Sequence, residues 1–146
     1  MPNIYFRYNS SADNALFEMK EYRRDVFVEI NGSFYHIEVI TQLRFIQDLE
    51  ETWKHCKGYA SDIEQVIVQS MSHSDMIAGI LDGCDGFTEK LMPCKTENGR
   101  IQYPLSETQY QFYMEAGWET EVSIKDLVKV YPPSDQDYLE MLMAGK

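Results

Sequence analysis

The chain is poor in most of the features that announce a function. No apolar run approaches the ~20 residues needed to cross a bilayer. The N-terminus, Met1-Pro2-Asn3-Ile4-Tyr5-Phe6-Arg7, lacks a basic leader, a long apolar stretch and a small-residue cleavage site. Neither a membrane association nor a secretory signal is expected, and the cytoplasm is the expected compartment. Cysteines number three, Cys56, Cys84 and Cys94, without C-x-x-C spacing. That excludes a disulfide framework and leaves free thiols as the expectation, although Cys84 and Cys94 could pair under oxidising conditions. Repeats, low-complexity tracts and Gly/Ser linkers are absent. A single domain spanning 1–146 follows, long enough to bury about 68–70% of its unfolded surface without a staple.

Basic residues are scarce. Lys and Arg total 13 against 24 Asp and Glu, for a formal net charge of −11. Residues 1–40 hold six acids and four bases; the remaining eighteen acids and nine bases follow. A field of this sign disfavours nucleic acid and anionic membranes, both of which are held by cationic side chains. It favours encounter with a basic protein.

Catalytic and metal-binding patterns are missing as well. There is no G-x-G-x-x-G and no G-K-[ST] for phosphates. His36, His55 and His73 fall in separate segments without H-x-x-x-H spacing, so no metal and no cofactor are expected. His55-Cys56 are neighbours on a helix pattern, where side chains point about 100° apart and do not face each other. Ser72-His73-Ser74-Asp75 reads as a helix cap. Asp82-Gly83-Cys84-Asp85-Gly86-Phe87 looks like a calcium loop only until its register is set: Leu81 and Met92 then fall where acids are required. No catalytic residue is assigned.

What is present is a strong hairpin. Val26, Val28 and Ile30 alternate with Phe27 and Glu29, Asn31-Gly32 supplies a type I′ turn, and the return strand runs to Val39. Closing the turn pairs Val28 with Tyr35 and Val26 with Ile37. One face then carries Val26, Val28, Ile30, Tyr35, Ile37 and Val39, the other Phe27, Glu29, Phe34, His36 and Glu38. Thr41 caps a helix over 41–57 with Leu43, Ile46, Leu49 and Trp53 as its apolar side, cations Lys54, His55 and Lys57 in its last turn, and Gly58 as its stop. Strands are expected over Asn3–Tyr8 and Ile63–Gln69. Residues 15–22 fit either strand or helix, with strand preferred. A short helix starts near Ser74, with Met76, Ile77, Ile80 and Leu81 inward, and ends at Gly83; residues 82–100 read mostly as loop. Ser106 and Gln109 have capping-box spacing for a helix reaching Ala116, stopped by Gly117. Residues 122–131 fit strand or helix, and Ser134 opens a C-terminal helix with Tyr138, Leu139 and Leu142. The fold class is α+β: a mostly antiparallel sheet with the Asn-Gly hairpin (25–39), packed by three to four helices on one face.

The remaining feature is aromatic. Tyr103, Tyr110, Phe112, Tyr113 and Trp118 fall within sixteen residues, beside Glu107, Glu115, Glu119 and Glu121. Tyrosine and tryptophan offer large contact area at low entropic cost and are enriched at interface hot spots. The competing reading is an amphipathic helix that packs these rings into the core. The candidate partner-binding residues are Tyr110, Tyr113, Glu115, Trp118, Glu119 and Glu121, with Asp82 and Asp85 as a second acidic group.

The segment Asp25-Val-Phe-Val-Glu-Ile-Asn-Gly-Ser-Phe-Tyr-His-Ile-Glu-Val39, with the helix 41–57 behind it, resembles small acidic immunity proteins of bacterial polymorphic-toxin and contact-dependent inhibition systems. The likeness covers about a third of the chain and carries over no site residue. It implies a protein-binding inhibitor that neutralises a cognate toxin domain, often a basic nuclease, by direct occlusion. Other readings are a phage or mobile-element protein that binds a host factor, and an enzyme without a familiar motif. Nothing in the chain sets its oligomeric state.

Overall fold

The computed structural model describes residues 2–57 and 64–133. The fold is α+β. β1 (Asn3–Phe6) leads to α1 (Ser11–Lys20), and the hairpin β2 (Tyr22–Ile30) and β3 (Ser33–Thr41) follows. Next come α2 (Gln42–Trp53), β4 (Glu64–Val68) and α3 (His73–Lys90). A small hairpin, β5 (Lys95–Glu97) and β6 (Arg100–Gln102), precedes α4 (Glu107–Ala116), β7 (Glu121–Ser123), a 3-10 turn (Ile124–Asp126) and β8 (Val128–Tyr131). The main sheet has the order β4-β3-β2-β1-β8, and the second sheet the order β5-β6-β7. The β3–β4 pair is parallel, joined across α2; every other pair is antiparallel.

The hairpin has the register that its turn and its pattern both demand. Val28 faces Tyr35 and Val26 faces Ile37. Asn31 (φ 51°) and Gly32 (φ 83°) both take the left-handed backbone of a type I′ turn. One face of the sheet buries Val26, Val28, Tyr35, Ile37 and Val39 with Ile4, Phe6, Val66 and Val68, under Met76, Ile80, Cys84 and Phe87 of α3. The second face of the sheet is also covered in part. Phe27 and Phe34 of the second face are buried under Cys94, Ile101 and Val122, so the small sheet roofs that side. The Cys94 N–H donates to the Phe34 carbonyl at 2.8 Å and ties the two layers together.

Four local expectations change. Residues 11–20 are helical, not extended. Ser10 and Asp13 form a full capping box, and Glu21 ends the helix in the left-handed conformation. The apolar run Ala15-Leu16-Phe17 mimicked a strand because α1 buries little, packing Phe17 on the core while Leu16 and Met19 stay exposed. The helix after Ser72 does not stop at Gly83 but continues to Lys90. Met76, Ile80, Cys84 and Phe87 form one inward stripe, and that burial outweighs about 1 kcal/mol lost at each interior glycine. Gly79 is required by contact: a Cβ there would lie 2.8 Å from Val68 Cγ1. Residues 95–102, read as loop, pair as a second hairpin around Asn98-Gly99, again with both φ values positive. Finally, α2 ends at Trp53, so Lys54, His55 and Lys57 lie beyond it, and it presents Leu43, Ile46 and Trp53 outward while Phe45 and Leu49 are the partly buried positions. The ambiguous stretch 122–131 holds strands β7 and β8 about the 3-10 turn. Gly58 and the helix expected from Ser134 lie outside the described residues.

At the base of the hairpin a charged pair is buried. Arg23 is 1% and Asp25 6% exposed. The Arg23 Nε and Nη2 donate to the two Asp25 carboxylate oxygens at 2.7 and 2.8 Å. Arg23 also donates to the Tyr8 carbonyl and to Asn14 Oδ1, while Asp25 accepts the Tyr8 N–H. The guanidinium stacks on Phe6 and Phe17, 3.7 and 4.3 Å from the ring centroids. β1, α1 and β2 therefore meet at one fully bonded ion pair.

Replacing Gly32 with Val should destabilise the protein by about 1 kcal/mol or more, because a β-branched residue resists positive φ. Urea unfolding checks this; an unchanged midpoint would contradict the turn assignment.

Candidate functional site: an aromatic cleft under an exposed helix

The segment 101–124 contains no lysine or arginine and four acids. Its helix, α4, is set by local chemistry. The Ser106 hydroxyl accepts the Gln109 N–H, the Gln109 side chain accepts the Ser106 N–H, and Gly117 closes the helix at φ 73°. Nothing in α4 is buried. Tyr110 is 45% exposed, Phe112 57%, Met114 55%, and Trp118 just beyond the helix 51%. Trp118 stacks edge-on with Phe112 and Tyr113, at 5.4 and 5.2 Å between centroids, so the rings form one surface cluster. The core-packing alternative for this helix is thereby set aside.

Between α4 and the second face of the main sheet lies a cleft of about 360 Å³. Its lining includes His36 and Arg24 from the hairpin, Tyr103, and Tyr113, Trp118 and Glu119 from the α4 region. The Tyr103 ring lies 4.6 Å from His36 and stacks on Phe27 at 5.7 Å. The Arg24 Nη2 donates to the Tyr113 hydroxyl at 3.4 Å and its Nε is 3.8 Å from Glu38.

Burial tunes the titratable groups here. The His36 Nε2–H donates to the Arg24 carbonyl, which fixes the proton on that nitrogen. Burial lowers the His36 pKa from 6.5 to about 4, so the ring is neutral near pH 7. Burial, helped by Glu119, pushes the Tyr103 hydroxyl upward, and Glu38 is likewise raised by burial. Burial pushes the Cys94 thiol up to about 12, which makes it a poor nucleophile. Near neutral pH the cleft therefore presents a neutral imidazole, an un-ionised phenol and an un-ionised thiol.

The sequence-predicted residues separate into two groups. Tyr110, Tyr113 and Glu115 belong to α4, Glu121 to β7, and Trp118 and Glu119 to the turn between them. Asp82 and Asp85 are exposed on α3, which packs on the opposite face of the main sheet; they lie on a helix and not in a loop, and they do not join the others. Glu115 is free on the surface. Glu121 is held by Arg100 Nε at 2.7 Å, and Glu119 lies 3.6 Å from Arg7. Sequence reasoning missed Arg24, His36 and Tyr8 as cleft residues, because they come from distant strands and only strand pairing brings them to α4. Among the described residues no cluster of His, Cys, Asp and Glu could hold a metal, and no helix is long and apolar enough to cross a membrane. Comparison with family models, with curated proteins and with solved structures finds no match for this chain.

For His36 the folded pKa lies below the unfolded value. Its contribution to stability is therefore complete above pH 6.5 and lost as pH falls toward 4. Native-state NMR titration should place its midpoint near 4. Glu38, whose pKa is raised, acts in the opposite sense, so the comparison is best made with His36→Gln. That variant should lose less stability than wild type between pH 6.5 and 4, by up to about 3 kcal/mol. A normal histidine midpoint would contradict the burial assigned to this ring.

Proposed function

We propose that this chain is a protein-binding inhibitor that captures a basic partner through α4 and Trp118, in the manner of an immunity protein that occludes a cognate toxin domain. One observation carries the reading: α4 leaves Tyr110, Phe112, Met114 and Trp118 exposed together, in a segment with four acids and no base. Aromatic anchors ringed by charge of one sign suit a partner of the opposite sign. A net charge of −11 adds long-range attraction to a basic protein. The likeness of the hairpin and its following helix to immunity proteins agrees with this reading, and the partner it implies is a basic, nuclease-type toxin domain.

Steering acts on encounter and is screened within about 8 Å at physiological salt. Raising salt should slow association more than it speeds dissociation. Glu107 and Glu115 are the acids to reverse, since both are exposed and neither holds an ion pair among the described residues. Reversal to lysine should slow association with the fold intact. Trp118→Ala should instead speed dissociation, at a cost of about 2 kcal/mol or more. Stopped-flow kinetics with the product of the adjacent reading frame, or with a partner recovered by pull-down, makes the measurement. A partner that is acidic, or one whose on-rate ignores both salt and charge reversal, would contradict the proposal.

A further inference from the structure

The first forty residues hold four bases, Arg7, Lys20, Arg23 and Arg24, and three of them, Arg7, Lys20 and Arg24, line one groove. This groove of about 260 Å³ is lined by Arg7, Lys20 and Arg24 with Tyr8, Tyr22 and Tyr103, and by two acids, Glu119 and Asp25, the latter bonded to Arg23. It shares Tyr8, Arg24, Tyr103 and Glu119 with the cleft under α4, so the two form one continuous depression. The groove alone is small for a ligand site, but it opens into the larger cleft under α4, whose volume lies in the usual range.

The arginines of this protein differ in how well they are bonded. Arg23, Arg44 and Arg100 each hold a carboxylate oxygen at 2.7 to 2.9 Å. Arg7 does not: its acids, Glu119 and Asp126, lie at 3.6 and 3.9 Å, and its buried Nε has no hydrogen-bond acceptor. Arg24 is similar, with Glu38 at 3.8 Å and one long bond to the Tyr113 hydroxyl. A buried N–H without an acceptor costs roughly 1–3 kcal/mol. The buried, unpaired Arg7 Nε and the exposed, loosely paired Arg24 guanidinium both line one aromatic groove and form a donor set whose bonding is incomplete. The planar guanidinium fork matches carboxylate and phosphate oxygens.

We infer that this groove binds a flat-ring ligand carrying one carboxylate or phosphate, with Arg7 and Arg24 donating to the oxyanion and Tyr103 and Trp118 flanking the ring. Glu119 is the negative charge such a ligand displaces. It is half exposed and only loosely paired with Arg7, so it can turn to solvent. Trp118 borders both this site and the surface of α4, whereas the oxyanion position at Arg7 and Arg24 lies outside that surface.

The test needs no protein partner, so its result stands apart from the inhibitor reading. Arginine Nε–H and tryptophan indole N–H resonances are followed by NMR during titration with adenosine monophosphate and with indole-3-acetate. The uncharged parents, adenosine and indole-3-acetamide, serve as controls. One or both anions should move the Arg7, Arg24 and Trp118 signals at millimolar concentration, and the preferred anion identifies the source of the oxyanion. Each bound anion should bind about tenfold tighter than its parent. Arg24→Gln should weaken binding by about the same factor. Glu119→Gln, a surface change that leaves the fold unaffected, should tighten binding several-fold. No shift with either anion, equal binding of the parents, or weaker anion binding in Glu119→Gln would overturn the inference; the last outcome would mark a cation site.

Discussion

The buried Arg23–Asp25 pair is the interaction on which the rest of the structure depends. Removing two charges from water is expensive, and the cost is met only when every hydrogen-bonding position is filled. Here the bidentate bond, the Tyr8 backbone and Asn14 give every nitrogen of the guanidinium and both carboxylate oxygens a partner, and Phe6 and Phe17 receive the face of the guanidinium. The pair sits at an irregularity in β2: Arg23 faces Val39 and Val26 faces Ile37, so two residues of β2 oppose one of β3. Arg23 and Asp25 turn inward, and the residue between them, Arg24, is sent to the other face. That is how Arg24 comes to reach Tyr113 across the cleft. A clamp in one layer therefore aims a side chain in the other.

The second constraint is that the main sheet has two buried faces. Val26, Val28, Ile37 and Val39 belong to the layer under α3, while Phe27 and Phe34 belong to the layer under the small sheet. A one-residue slip of the hairpin would exchange these sets and put His36 and Glu38 under α3. The Asn31-Gly32 turn excludes that slip. The roof is short, so it covers only part of the second face, and the uncovered part, around His36 and Arg24, becomes the cleft floor.

The legible parts of the fold are those where two independent signals coincide. The hairpin register was readable because turn chemistry and alternation agreed, and α4 because Ser106, Gln109 and Gly117 mark both of its ends. The extent of α3 was not readable, since interior Gly83 and Gly86 look like a stop until the stripe Met76, Ile80, Cys84 and Phe87 is seen packed. The second hairpin carries the same Asn-Gly signal as the first, at Asn98-Gly99. Its strands have three residues each, and only Ile101 among them is buried, so no alternation supported the turn. The aromatic half of the candidate site was legible as a cluster within sixteen residues. Its basic half was not, because Arg7 and Arg24 reach the groove through strand pairing, which composition does not record. Asp82 and Asp85 show the converse: acidity alone grouped them with residues on the opposite face.

The central claim is that the Arg23–Asp25 clamp organises both layers, and a double-mutant cycle tests it most directly. Urea unfolding is measured for Arg23→Met, Asp25→Asn and the double variant. Each single change should cost about 3–5 kcal/mol, since it leaves a buried charge without its partner. The double change should cost less than the two together, with a coupling of about 1–3 kcal/mol. Single variants within about 0.5 kcal/mol of wild type, as found for surface substitutions, would contradict the account.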